Sequence, residues 1–79
     1  MDTKRIILDI LQEMHPEVDD FEQISDLVHG GTLDSLNIVM LIAELSENFD
    51  IEIPPQEIVY ENFDSVDGLV KMVERLQGD

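Results

Sequence analysis

From Ser35 to about Asp50 the chain reads as one helix, yet its apolar residues do not fall on a single side. At 100° per residue, Ile38, Leu41, Ile42, Leu45 and Phe49 share a face that reads as core, while Leu36, Val39, Met40 and Ala43 lie on another, toward the Ser35 end. A helix of this kind is either buried all round or presents one side to another molecule. Burial against a neighbouring loop and exposure to a partner both fit the pattern. The chain has 79 residues and no cysteine. Such a chain hides only roughly 60% of its unfolded surface. Without disulfides or thiolate metal sites, its stability rests on one well-packed core.

The remaining segments supply that core. Ile7, Ile10, Leu11 and Met14 have helical spacing, with Asp2 or Thr3 able to cap the start and His15-Pro16 stopping the run. Residues 15 to 34 form a connection longer than ordinary loops, and Val18, Phe21, Ile24, Leu27 and Val28 are spaced to pin it onto a core. After the long helix, Ile51-Glu52-Ile53-Pro54-Pro55 reads as extended, with the prolines starting a short helix through Gln56 to Tyr60. A last helix follows, capped by Asp64 or Ser65, striped by Val66, Leu69, Val70, Val73 and Leu76, and ended by Gly78. The expected fold is all-α: a small four-helix bundle of three longer helices and one short one, with a long loop after the first helix, forming a single domain over residues 1–79.

Charge narrows the partners. Nineteen acidic residues face four basic ones, a formal net charge of -15. The basic residues are Lys4, Arg5, Lys71 and Arg75, so none lies between Ile6 and Val70. Such a surface repels phosphate backbones and anionic headgroups, which argues against nucleic acid and membrane and for proteins with basic patches. Self-repulsion should also loosen the fold at low salt. Asp9, Gln12 and Glu13 interrupt any signal-peptide core, and no run approaches a membrane span, so a soluble, cytoplasmic monomer is expected.

Ser35 is the residue to explain. A serine or aspartate before a helix ordinarily caps it, and Asp34 is equally able to do so. A nucleophilic serine would need His29 as base and a carboxylate to orient it, and nothing in the spacing supports that set. Asp9, Glu13 and Glu17, like Glu44 and Glu47, have helical spacing but read as solvated faces. No calcium-loop pattern is present, and no metal site is expected.

Asp34-Ser35-Leu36 after a glycine loop, then Glu47-Asn48-Phe49-Asp50, then Ile53-Pro54 closely resemble the signature of the acyl carrier protein family, in order and spacing. The resemblance implies that Ser35 carries a covalent 4'-phosphopantetheine, installed from coenzyme A by a phosphopantetheinyl transferase. The arm would hold acyl or aminoacyl groups as thioesters, on a carrier that is itself no catalyst. It implies that Asp34 and Leu36 flank the attachment site, and that Val39, Met40, Ala43, Glu44 and Glu47 face partner enzymes. Those partners would be the transferase, an acyl- or aminoacyl-loading ligase and a downstream transferase or synthase, with basic and apolar docking patches.

Asn37 and Met40 stand where fatty-acid carriers are usually acidic. Thr32-Leu33-Asp34-Ser35 looks more like carriers of aminoacyl or peptidyl groups, including the D-alanyl carriers of teichoic acid modification. A dedicated carrier for an adenylating ligase or specialised synthase is therefore the preferred subtype, as a free-standing protein or an excised domain. The competing expectation is an unmodified acidic interaction module of the same fold, in which Ser35 only caps.

Overall fold

Asp2 begins the first helix, its carboxylate accepting the Arg5 N–H at 3.3 Å in a computed structural model that describes residues 2–78. Helix α1 (Thr3–Met14) buries Ile7, Ile10 and Leu11. It stops at His15, whose N–H closes on the Leu11 carbonyl at 2.9 Å, because Pro16 disfavours helical backbone in the residue before it.

The connection over residues 15–34 is packed, as its apolar spacing predicts. A 3-10 turn at Phe21–Gln23, capped by Asp20, drives Phe21 into the core; apolar spacing alone does not foresee the turn. Lys4 reaches Glu22 at 2.6 Å and ties this turn to α1. Leu27 is fully buried, and Val18, Ile24 and Val28 pack against the core from its edge. Leu33, absent from the expected pins, is 1% exposed, with its N–H on the Leu27 carbonyl at 2.8 Å. Gly31 turns the chain at φ +89°, a conformation that costs an L side chain energy and glycine little.

Helix α2 (Ser35–Phe49) buries Leu41 and Leu45. Ile38, Ile42 and Phe49 from the same expected face pack at the core margin. Asp50 ends the helix in the left-handed region at φ 53°, returning its N–H to Ser46.

The next segment corrects the expected short helix. Pro55–Glu57 forms one 3-10 turn only, Val59 is extended, and a short helix α3 (Tyr60–Phe63) starts where the expected one should have ended. The cause lies in Asn62, whose amide donates to the Glu57 carbonyl at 2.7 Å and to its carboxylate at 3.1 Å, fixing the end of the turn. Arg75 holds the same carboxylate at 2.5 Å. Shifting the helix forward carries Phe63 into the core, where it is 1% exposed.

Helix α4 (Val66–Gly78) starts from Ser65, whose hydroxyl accepts the Gly68 N–H at 3.0 Å. Val66, Leu69 and Val73 of the expected stripe are buried, joined by Met72, while Val70 and Leu76 sit at the margin. Gly78 lies within the helix as its last described residue rather than beyond its end. Helix α1 packs on α4 and α2, and α3 packs on α4. The described residues form an all-α bundle of three longer helices and one short one, with a long loop after the first.

Candidate functional site

The start of α2 resolves which residue caps it. Asp34 is extended, its carboxylate accepts the Asn37 N–H at 2.8 Å, and its carbonyl accepts the Ile38 N–H at 2.9 Å. Asn37 answers with its side-chain oxygen on the Asp34 N–H at 3.3 Å, completing a reciprocal capping box. Asp34 is the cap, and Ser35 is the first residue inside the helix. Among the described residues no hydrogen bond engages the Ser35 hydroxyl, which is exposed. The N–H groups of Ser35 and Leu36 precede the first intrahelical bond, so they point outward beside that hydroxyl at the positive end of the helix dipole.

Asn37 also locks this end in place. His15 Nε2 lies 3.0 Å from Asn37 Oδ1, while His15 Nδ1 lies 3.1 Å from Glu17, so the end of α1 is fastened to the first turn of α2. Read from sequence, Asn37 figures only as a missing acidic residue, and both bonds go unnoticed. The Asp34-x-x-Asn37 spacing was the available signal, since a capping box joins residues three apart.

The second apolar side of α2 is open. Leu36 is 67%, Val39 63% and Met40 47% exposed, and Ala43, Glu44 and Glu47 are exposed with them. Burial against the long loop, the alternative the pattern allowed, is not found. On the other flank of α2 lies a cavity of about 390 Å³ lined by Val28, Ile38, Ile58, Val59, Tyr60 and Phe63, its Ile38 wall one turn from Ser35.

His29 is engaged elsewhere. Its Nδ1 donates to Asp64 Oδ2 at 2.5 Å, and its ring lies 4.1 Å from that of Tyr60. Asp64 Oδ1 accepts the Val28 N–H at 2.9 Å and the His29 N–H at 3.1 Å, so one carboxylate clamps the end of the long loop to the α3–α4 junction. Partial burial pushes the Asp64 carboxyl up. The His29 backbone and ring N–H groups and the Val28 N–H outweigh that and hold it below the usual carboxylate range. A Ser–His pair would need His29 against Ser35, and no such bond exists among the described residues.

Residues 4–73 match the family model described as a phosphopantetheine attachment site. The chain belongs to the acyl carrier protein family. This carrier is similar to the D-alanyl carrier protein of Streptococcus suis (strain 98HAH33), at 37% identity over 96% of both chains. It is also similar to the D-alanyl carrier proteins of Lactobacillus acidophilus, at 33% identity over 100% of both chains, and Lactobacillus helveticus, at 32% over 100% of both. The carrier holds acyl or aminoacyl groups as thioesters on a covalent 4'-phosphopantetheine arm. It is a substrate of phosphopantetheinyl transferase and the non-catalytic partner of a loading ligase. No helix among the described residues is long and apolar enough to cross a membrane.

Proposed function

We propose that Ser35 bears the phosphopantetheine and that the cargo is a D-alanyl group. The observation that carries the first half is the division of labour at the start of α2: Asp34 caps, leaving the neighbouring hydroxyl exposed and uncommitted. The site fits the group on chemical grounds, because the outward N–H groups of Ser35 and Leu36 and the helix dipole favour a phosphodiester there. Asp34, an anion beside that phosphate, serves as the cap and as a feature for the transferase to recognise.

In the attachment step Ser35 Oγ attacks a phosphorus of the coenzyme A pyrophosphate. The Oγ–P bond forms, the bond to the adenosine half breaks with its electron pair, and the serine proton passes to a base of the transferase. Once bound, the group supplies the thiol that this cysteine-free chain lacks, on an arm long enough to enter partner active sites.

The full-length likeness to D-alanyl carriers supports the cargo. The cavity beside α2 does not favour such a cargo inside it: its apolar walls include no carboxylate to receive an ammonium, and burying an unpaired charge is costly. A small aminoacyl group is therefore carried in solvent. Leu36, Val39, Met40 and Ala43 give the loading ligase and the transferase an apolar docking face, rimmed by Glu44 and Glu47.

Intact mass spectrometry tests both halves. With coenzyme A and a broad-specificity transferase, the protein gains one phosphopantetheine mass and Ser35→Ala gains none. With an adenylating ligase, ATP and D-alanine, the modified protein gains one alanyl mass that hydroxylamine removes. A wild type left unmodified by several transferases overturns the Ser35 assignment; a modified protein charged with fatty acid but not D-alanine overturns the cargo.

A further inference from the structure

Between α1 and α2, away from the large cavity, lies a cleft of about 170 Å³ lined by Ile10, Glu13, Met14, Met40 and Glu44. Its floor is apolar, and it carries one carboxylate from each helix. Neither Glu13 nor Glu44 has a cationic partner among the described residues, whereas Lys4, Arg5 and Arg75 are each paired with another carboxylate. Lys71, the remaining basic residue, lies on α4 and is not among the residues lining the cleft. The cleft therefore offers an apolar floor and two unanswered negative charges to a cation from outside.

The geometry points to an arginine side chain of the enzyme that charges the arm, inserted into this cleft so that its stem covers Ile10, Met14 and Met40 and its guanidinium bridges Glu13 and Glu44. Three features select that occupant. A bare metal ion gains nothing from a floor of isoleucine and methionine, while an arginine stem buries against it. The planar guanidinium presents five donors, enough for two carboxylates at once, and is more weakly hydrated than a lysine ammonium. Met40 belongs both to the cleft and to the exposed side shared with Leu36 and Val39, so a protein covering that side to reach Ser35 extends naturally to the cleft. Helix α1, through Glu13 and Met14, thus becomes part of the docking surface. The inference rests on the carrier reading above.

Steady-state charging of the phosphopantetheinylated protein by the adenylating D-alanine ligase tests it. The variants are Glu13→Gln, Glu44→Gln and the pair combined, with Glu74→Gln on α4 as a control for net charge. At about 0.5 kcal/mol for each of the two exposed ion pairs, the double variant should raise the KM for the carrier about fivefold, with kcat at saturating carrier unchanged. Glu74→Gln should stay near wild type. A double variant whose KM moves no further than that of the control overturns the cleft assignment, provided the wild type is charged. A wild type that is never charged with D-alanine instead overturns the reading beneath it.

Discussion

The dipeptide Asp-Ser precedes two helices, as Asp34-Ser35 before α2 and Asp64-Ser65 before α4, and the two copies sit one residue out of register with each other. At α2 the aspartate caps and the serine enters the helix. At α4 the serine caps, accepting the Gly68 N–H at 3.0 Å, and the aspartate stands outside. Each register frees the other member of its pair. Ser35 is left with an uncommitted hydroxyl in solvent, while Asp64 is released to clamp Val28 and His29. The residue three places after each cap belongs to the same logic. Asn37 returns a bond to Asp34, whereas Gly68 lets α4 press against the Glu61 carbonyl. A serine becomes available for chemistry when its neighbour takes over the capping.

The largest effect should separate the two serines completely. Ser35→Ala abolishes phosphopantetheine uptake. Ser65→Ala is modified like the wild type but loses about 1 kcal/mol of stability as a lost cap, read by urea unfolding. A folded Ser65→Ala protein that resists modification would break the comparison. Next in size is Gly68→Ala. Its added Cβ would lie 2.5 Å from the Glu61 carbonyl oxygen, a backbone atom that cannot swing away, so a loss of about 2–3 kcal/mol is expected in the same measurement.

Asp64→Asn tests what the second register achieves. The amide can still receive the backbone N–H groups but loses the charged bond to the His29 ring, for a cost of about 1–2 kcal/mol near neutral pH. The carboxyl pKa is lower folded than unfolded, so its contribution is fully present above about pH 4, the unfolded value, and is lost as pH falls through the folded one. The Tm gap between wild type and Asp64→Asn should therefore be open at about pH 5 and close as pH falls below about 4. Relief of the -15 net charge acts on both proteins alike, so the gap isolates the clamp. A gap independent of pH down to 2 would show that the carboxylate charge is not what holds the loop.

Much of this was legible in the sequence because helical periodicity reports burial. The faces of α1, α2 and α4 emerge from spacing alone, whereas the attachment motif is read from its resemblance to the acyl carrier protein family. The two-sided pattern of α2 was also readable, but whether its second side was covered depended on where residues 15–34 run, which local spacing does not encode. The misplaced short helix has a similar cause. Pro54-Pro55 signals a helical start correctly, yet the turn is closed at Glu57 by Asn62 and Arg75, the latter 18 residues away. The register of each Asp-Ser pair was ambiguous because both residues cap well. Contacts outside the pair decide it: His15 braces Asn37 at the start of α2, and the Val28 and His29 N–H groups draw Asp64 away from α4.

The smallest effect tests the first register directly. Asp34→Ala removes the capping oxygen and should cost about 1 kcal/mol, whereas Asp34→Asn keeps an acceptor in the same place and should cost only a few tenths. Stability alone therefore scarcely distinguishes aspartate from asparagine here. Transferase kinetics does, because D34N keeps the helix start and the exposed hydroxyl while removing the negative charge beside the incoming phosphate. If Asp34 serves only as a cap, D34N should be modified at least as fast as the wild type, since one source of repulsion is gone. If the transferase also reads the carboxylate, D34N should show a raised KM with unchanged unfolding. In D34A, where alanine caps poorly, Ser35 itself is placed to compete for the capping role, and slower modification than in D34N would confirm that the aspartate keeps the serine free.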